Sequence, residues 1–408
     1  MAARKKKDTA GWARFILTMI LLLMIMTGTL AGLYFYLQYI LEQNEREGFT
    51  EKDLSIPIYE KRPLEEEERP LFIRPGAVPP FSCRLLWPIN GTSEKLDAIP
   101  GIGSVLNLSL KNEGSSRVYV ERVYYETGWN YNGSGKVNKY VEPGHQRYLR
   151  HLLVTVPEPA PDPSLLTYKL YMDILVEGSA SWVRKAGLDF EESDFHLIPL
   201  TAGKTEPEYV SNRPFYYDKV NNLIENDIEG LEKIVNDTGL NDGRFTIQDI
   251  ADAFEMVISS VEYRSDPDTG SNEWISPLTC LARGGGDCED YSMLFGAIIT
   301  IMGGNARVII TSHHAFNAVY IGRDPSLLDL IDERYGMDIP FQLMEDHLGI
   351  WLVVEPQSYL VFGWFPSDVV VQKGDSSQGS ISTYIYGNNV LKWVYEDSAE
   401  VSVVDIYI

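Results

Sequence analysis

The amino-acid sequence predicts an α+β domain that follows an all-β sandwich, with a transmembrane helix ahead of both. Three observations carry this prediction. Residues 15–40 form a long uncharged run, residues 81–204 contain short alternating apolar runs, and the chain after 205 opens with helical periodicity. The first pattern is long enough for a bilayer core, the second is typical of half-buried strands, and the third indicates amphipathic helices.

The uncharged N-terminal run predicts the topology. About 20 apolar residues are enough to cross a hydrocarbon core, and residues 15–40 exceed that length. The tail 1–14 is rich in lysine and arginine, so we expect it to stay cytoplasmic and the bulk of this single-pass membrane protein to lie outside the cytoplasm. A cleaved signal peptide ending near Ala31 is the alternative, although the apolar run continues past that residue to Ile40.

Composition and charge narrow the class of protein. With 44% hydrophobic and 23% charged residues, the chain has the composition of a folded protein. Its net charge of −23 argues against a nucleic-acid partner, because phosphate binding needs clustered basic side chains. Only Cys83, Cys280 and Cys288 are present, which excludes a disulfide-dense scaffold and leaves at least one thiol unpaired within the chain. Whether Cys83 pairs with Cys280 stays open.

The domain boundaries follow changes in composition. Residues 41–80 hold six prolines and an acidic run, which predicts an extended stalk. Residues 81–204 contain runs such as TYKLYMDILV between turn clusters, which predicts a β-sandwich of immunoglobulin-like type. Residues 205–375 place helices before a set of short strands, as in an α+β domain. Residues 376–408 return to alternation and predict a β-rich C-terminal extension.

The clearest chemical signal is a cysteine that follows a glycine-rich turn. Residues 284–286 are all glycine, Cys288 follows closely, and from Tyr291 on the sequence is apolar nearly all round. We therefore expect a buried helix with Cys288 at its N-terminus, where the helix dipole favours a thiolate and N–H groups can hold an oxyanion. His314 opens a later strand and is the predicted base. Glu355 ends another apolar strand and is the predicted carboxylate that orients His314.

These residues resemble a known family. The strings GGGDCEDYS, HHAFNAVYI and WLVVEP are similar to the three motifs of the transglutaminase-like superfamily of papain-type folds, and the first is most similar to that of bacterial transglutaminase-like cysteine proteinases. The resemblance covers about 215–370 and implies a papain-like fold, peptidase activity, Cys288 as nucleophile and His314 as base. Glu355 departs from the pattern, because the family usually has aspartate there.

The residues around the cysteine raise two further predictions. Asp287, Glu289 and Asp290 should raise the pKa of the thiol, so a helix end, an imidazolium or a cation must offset them. Some bacterial relatives depend on calcium, and the resemblance implies Asp287 and Glu289 as its ligands. The alternative is that these acids only interact favourably with the helix dipole. No cofactor is otherwise required. Trp274 is a candidate for the oxyanion hole or a wall of the site, with a core tryptophan as the alternative.

Other assignments of the same residues remain open. Cys288 can be an inert buried cysteine, and His313 can replace His314 as the base, although neighbouring strand residues face opposite sides. A zinc site made of Cys280, Cys288 and the two histidines has poor ligand spacing. We predict a membrane-anchored thiol peptidase whose partners are a protein or peptide substrate at the cell envelope and the membrane itself. A protein cross-linker and a non-catalytic surface-binding protein are the alternatives.

Overall fold

A computed structural model describes most of the chain after Arg46. It covers residues 46–60, 67–86, 96–98, 104–190, 193–197, 208–266, 273–311, 314–335, 341–356, 382–386 and 400–408, with the single residues Met19, Gly32, Pro100 and Ile339. The tail 1–14 and the predicted span 15–40, apart from Met19 and Gly32, lie outside these residues. Within the described ranges, no helix is long and apolar enough to cross a membrane.

The first half of the described chain is built from two sheets that face each other. Strands β1, β3 and β6 form a three-stranded sheet, and β2, β9, β7, β4 and β5 form a second sheet in that order, with β8 also paired to β7. Side chains from both sheets share one buried apolar cluster. The strands are β1 Cys83–Leu86, β2 Leu96–Ala98, β3 Ser104–Asn112, β4 Val118–Thr127, β5 Asn132–Val141, β6 Gln146–Val154, β7 Thr167–Glu177, β8 Trp182–Asp189 and β9 Ser193–Leu197.

The second half combines six helices with a seven-stranded sheet. The sheet has the order β10-β18-β13-β14-β16-β15-β17, and only the β10–β18 pair is parallel. The helices are α1 Pro214–Glu225, α2 Ile228–Asp237, α3 Ile247–Ser260, α4 Pro277–Arg283, α5 Cys288–Ile301 and α6 Asp329–Tyr335. The strands are β10 Glu208–Ser211, β11 Glu262–Tyr263, β12 Gly285–Gly286, β13 Ala306–Ile310, β14 Ala315–Gly322, β15 Phe341–Glu345, β16 Ile350–Val354, β17 Ser382–Tyr386 and β18 Glu400–Asp405.

Helix α5 is the centre of this half. Its side chains from Met293 to Ile299 are buried on all sides, as the apolar sequence predicts. It packs against α3 and against one face of the seven-stranded sheet, here called the helix face. Because alternate residues of a strand point to opposite faces, Val308 lies on the helix face and Ile309 on the other.

The C-terminal strands correct one predicted boundary. Two strands of the predicted extension 376–408 belong to the sheet, because β18 lies between β10 and β13 and β17 pairs with β15 at the edge. Val401, Val403 and Val404 of β18 are buried. The second domain therefore runs past 375 to the last strand. Local alternation reveals a strand but does not reveal its neighbours in the sheet, and this is why the boundary was misplaced.

The predicted stalk is also corrected. Residues 46–58, here called the strap, lie along the second face of the seven-stranded sheet, the strap face, where Phe49 and Leu54 pack with sheet side chains. The backbone N–H of Ser55 donates to Asn305 Oδ1 at 2.7 Å, and that of Ile58 donates to the Phe245 carbonyl at 2.8 Å. Two apolar side chains suffice to dock this segment, and such sparse anchors leave no periodic signal in the sequence.

The two halves contact each other through β6 and α3. Gln146 Nε2 donates to the Ile258 carbonyl at 2.8 Å, and the N–H of Tyr148 donates to Ser259 Oγ at 3.0 Å. Tyr148 is 2% exposed and packs edge-on against Phe254 in the core of the second half. The sandwich is therefore packed against the helix that supports α5.

Candidate active site

A tight turn places Cys288 at the first position of α5. Gly284 ends α4 with φ of 64°, and Gly285 and Gly286 pair in parallel with β11. A Cβ atom at Gly286 would meet Asp290 Oδ2 at 2.6 Å, so only glycine fits this approach. Asp287 and Asp290 then form a reciprocal capping box that starts the helix. The turn and the cap together fix the position of the thiol.

His314 and Glu355 meet as the sequence predicts. The ring nitrogen His314 Nε2 lies 2.5 Å from Glu355 Oε2, and the Glu355 side chain is fully buried. His314 directly precedes β14 and Glu355 directly follows β16. These strands are antiparallel neighbours, with Asn317 opposite Val354, so the two side chains share one end of the sheet. The N–H of His314 is held by Thr311 Oγ1 at 3.0 Å.

The thiol lies at the same end of β14. The backbone N–H of Ala315, the residue after His314, hydrogen bonds to the Cys288 sulfur and acts to lower the thiol's pKa. Burial, the charge of Glu289 and its hydrogen bond, and the charge of Asp287 outweigh this effect and raise the pKa of Cys288 well above its ordinary value. Cys288 Sγ donates to Glu289 Oε2 at 3.1 Å. In this arrangement the thiol is protonated.

The acids beside Cys288 are buried together. Asp287, Glu289 and Asp290 are 7%, 5% and 2% exposed. Burial, together with the hydrogen bond and charge of Glu289, raises the pKa of Asp287 to about 9. Burial raises the pKa of Asp290 to about 7, although N–H groups of Ile275 and Asp287 oppose the change. The helix end therefore offsets only part of the negative charge that the sequence places here.

The same acids provide the donor atoms for a candidate cation site. One ligand atom each from Asp287, Cys288 and Glu289 lies within 4.8 Å of the others. The buried oxygens Asp287 Oδ1 and Glu289 Oε1 have no hydrogen-bond partner among the described residues. Paired carboxylate oxygens without donors fit a hard cation such as Ca²⁺, although calcium takes six to eight oxygens and the remainder would come from water or backbone groups.

The alternative assignments of the cysteines and of His313 can be compared with the structure. All three cysteines lie in the described part of the chain, and Cys83, Cys280 and Cys288 are each a free thiol. No Cys83–Cys280 disulfide is formed. Cys280 is buried, outside the donor group around Cys288, and burial raises the pKa of its thiol to about 12. His313 lies outside the described residues.

Trp274 lines the start of α5 at the margin of the core. It is half-buried, its ring stacks on Tyr216 with centroids 6.1 Å apart, and Lys219 Nζ lies 4.1 Å from its ring centroid. The next residue, Ile275, donates its N–H to Asp290 Oδ1 at 2.9 Å. The structure thus places Trp274 beside the helix that carries Cys288, with one side in the core.

Two residues near the site carry no signal in the sequence. Tyr263 pairs in register with Gly286, and its pKa is raised first by burial and then by the charges of Cys288 and its flanking acids. It is therefore a neutral hydrogen-bond donor at physiological pH. Lys219 projects from α1, and its pKa is lowered by burial while the charges of Glu289 and Asp290 oppose that change. Only the packing of α1 and β11 against the turn brings them there.

Comparison with known proteins gives no family for the chain. No family model and no curated protein matches it. Among solved structures, a "putative ApaA protein" from Bordetella pertussis is 13% identical, with 29% of this chain and 98% of that chain covered and a TM-score of 0.18. Spo0M, a sporulation control protein from Bacillus subtilis, is 11% identical, with 36% and 55% covered and a TM-score of 0.16.

A third solved structure, described as a "putative protease" from Parabacteroides distasonis, is 9% identical, with 55% of this chain and 64% of that chain covered and a TM-score of 0.20. The chain spans less than two thirds of this protein and of Spo0M. At such TM-scores these similarities establish neither a shared fold nor a shared activity. The transglutaminase-like resemblance therefore continues to depend on the motifs alone.

Proposed function

We propose that the chain is a membrane-anchored, transglutaminase-like thiol enzyme, and specifically a cysteine peptidase that acts on cell-envelope proteins. One observation carries the proposal: His314 is paired with the buried Glu355 at the end of β14 where the N–H of Ala315 hydrogen bonds to the Cys288 sulfur. A buried carboxylate orients an imidazole and stabilises its charged form. The membrane anchor and the envelope location are supported by the sequence of residues 1–40.

In this proposal Cys288 attacks the carbonyl carbon of a peptide bond. The S–C bond forms as the thiol proton passes to His314, and Glu355 stabilises the imidazolium at Nε2. His314 then gives the proton to the leaving amine as the C–N bond breaks. Water then attacks the thioester carbonyl and gives a proton to His314. The C–S bond breaks, the acid leaves, and His314 returns the proton to the Cys288 sulfur. The N-terminal N–H groups of α5 are suited to hold the oxyanion.

The hydrogen bond from Cys288 to Glu289 opposes the first of these steps, because it keeps the thiol protonated. Asp287 and Glu289 are the residues that would hold calcium, as the family resemblance implies. When bound, the cation supplies positive charge that offsets these two carboxylates. Glu289 would then no longer accept a hydrogen bond from the thiol, and His314 would be the base that takes the thiol proton.

Two other functions remain in competition. A protein cross-linker uses the same first step and lets an amine, instead of water, resolve the thioester. A non-catalytic surface-binding protein is favoured by the raised pKa of Cys288 and its hydrogen bond to Glu289, which together describe an unreactive thiol. The three functions predict different products.

The test uses the full chain, because β18 is an internal strand of the sheet. Wild type, Cys288→Ala and His314→Ala are incubated with a peptide library and a fluorescent primary amine, with calcium or with a chelator. We expect new peptide N-termini from wild type only. Glu355→Gln should lower the rate of cleavage about 10²–10⁴-fold. Glu345→Gln, at an exposed position on β15, is its control.

Each outcome decides between the functions. Incorporation of the amine without cleavage would replace the peptidase proposal by the cross-linker. Equal behaviour of wild type and Cys288→Ala, with iodoacetamide labelling Cys288 no faster than Cys280, would reject thiol catalysis and favour the binding protein.

A further inference from the structure

The strap leaves the folded part of the chain at one particular edge. Its first residue, Arg46, donates its N–H to the Asn212 carbonyl at 3.0 Å, and its guanidinium contacts Asp218 of α1 at 3.0 Å. Tyr407 packs against α1 at the same edge, where its N–H donates to Asn221 Oδ1 at 2.8 Å. We call the surface formed by Arg46, Phe215, Asp218, Tyr407 and Ile408 the strap-end face.

The strap is fixed at this edge by buried contacts. Phe49 is 7% exposed, its ring lies 6.0 Å from that of Trp351 and 4.7 Å from that of Tyr407, and its N–H donates to Asp405 Oδ2 at 2.8 Å. The same Asp405 carboxylate accepts from Asn212 and pairs with the buried Arg307. The segment that connects the predicted transmembrane run to the domain is therefore anchored to the domain from Arg46 onward.

Little chain remains between that anchor and the predicted span. Only residues 41–45 separate Ile40 from Arg46. Six Cα-to-Cα steps reach at most about 20 Å. We propose that the strap-end face rests against the phospholipid headgroups of the membrane in which residues 15–40 are inserted. This placement depends on the sequence prediction of that span and does not depend on catalysis.

The chemistry of the strap-end face fits a lipid surface. Phe215, Tyr407 and Ile408 are 64%, 36% and 50% exposed, so this edge presents apolar side chains to its surroundings. Tyrosine and phenylalanine favour the boundary between headgroups and hydrocarbon. Both arginines at this edge are paired with acids, Arg46 with Asp218 and Arg213 with Glu400, while the exposed Glu47 adds to the net charge of −23.

The strap-end face adjoins a wall of the candidate active site. Lys219 Nζ lies 5.8 Å from the ring centroid of Phe215 and 4.1 Å from that of Trp274. If the proposed function holds, the substrate is therefore a segment close to the bilayer. The proposed contact with the membrane does not depend on this inference about the substrate.

Photo-crosslinking tests the placement directly. The photoreactive residue p-benzoylphenylalanine is introduced at Phe215 in the full chain, which is then reconstituted in phosphatidylcholine vesicles. Phe72 is a matched control, because it is 70% exposed and lies beside β8 of the sandwich. We expect at least fivefold more phospholipid adduct from position 215 than from position 72.

An insertion then tests whether the short connection between Ile40 and Arg46 holds the strap-end face at the membrane. Twenty Gly/Ser residues are added between Gln43 and Asn44, ahead of the described residues, and an unchanged thermal melt verifies that the domain is intact. We expect the lipid adduct at position 215 to fall to the level at position 72. Equal yields at the two positions without the insertion, adducts to a second copy of the chain, or a yield at 215 that the insertion leaves unchanged would each overturn the proposal.

Discussion

Two acidic clusters in the second half of the chain differ in whether a buried arginine pairs with their carboxylates. At the helix end that carries Cys288, Asp287 and Asp290 are buried and their pKa values are raised to about 9 and about 7. On the strap face, Arg307 lies 2.6 Å from both Asp346 and Asp405 and 3.5 Å from the ring centroid of Trp351. There, burial acts to raise the pKa of Asp346, but Arg307, Trp351 and backbone donors lower it overall.

The difference separates a structural cluster from a functional candidate. A buried carboxylate that is fully paired stabilises one arrangement, and on the strap face that arrangement includes the strap. Buried carboxylates without a cation cost free energy, and their raised pKa values are the pattern expected of a functional site. Three changes test this contrast.

The largest expected effect is on the strap face. Arg307→Met leaves the Asp346 and Asp405 carboxylates buried without their cation, which should cost about 3–5 kcal/mol of unfolding free energy. Arg323→Met is the matched control, because Arg323 is 65% exposed and its pair with Glu51 lies at the surface. Urea unfolding of the full chain measures both. A loss below about 1 kcal/mol for Arg307→Met would contradict the structural role.

A smaller effect depends on pH. Because the pKa of Asp346 is lowered in the folded chain, its contribution is present at pH 7 and is lost as the pH falls below the ordinary range of aspartate. Asp346→Asn should lower the unfolding free energy by about 2 kcal/mol at pH 7 and by less at pH 3, because the contribution is lost as the pH falls through the lowered pKa. Asp237→Asn, at an exposed position, should show no such difference. Equal losses at both pH values would remove the paired-acid explanation.

The smallest expected effect is at the cysteine. Glu289→Gln removes a charge that raises the pKa of the Cys288 thiol, so alkylation by iodoacetamide at pH 8 in a chelator should become about tenfold faster. Calcium should have a similar effect on wild type. Glu273→Gln, an exposed change, is the control. An unchanged or slower rate in Glu289→Gln would show that burial alone sets the reactivity of this thiol.

The sequence predicts those parts of the site whose signals are local. Three glycines, a capping acid and an apolar run define the turn and α5, so Cys288 is placed at a helix start without reference to any other segment. His314 and Glu355 are predicted at strand ends, and the neighbouring antiparallel strands β14 and β16 bring them together. The transglutaminase-like fold and the catalytic roles stay predictions that depend on motif similarity.

Features that depend on distant contacts were missed. Prolines and acids in 41–80 predict a stalk. Phe49 nevertheless packs between Trp351 and Tyr407, a contact that no local sequence pattern predicts. Alternation in 400–405 indicates a strand, but the place of β18 beside β13 depends on the whole sheet. Lys219 and Tyr263 reach the acids around Cys288 only because α1 and β11 pack against the turn.

The sequence by itself determined the elements: where helices and strands form, and that a cysteine among acids begins a buried helix. These properties follow from periodicity, glycine geometry and capping, which act over a few residues. Only the tertiary structure decided that Glu289 accepts a hydrogen bond from the Cys288 thiol, that Arg307 pairs with one acidic cluster but not the other, and that the strap belongs to the domain. Burial and pairing are set by residues far apart in the chain, and they decide the charge state of each group.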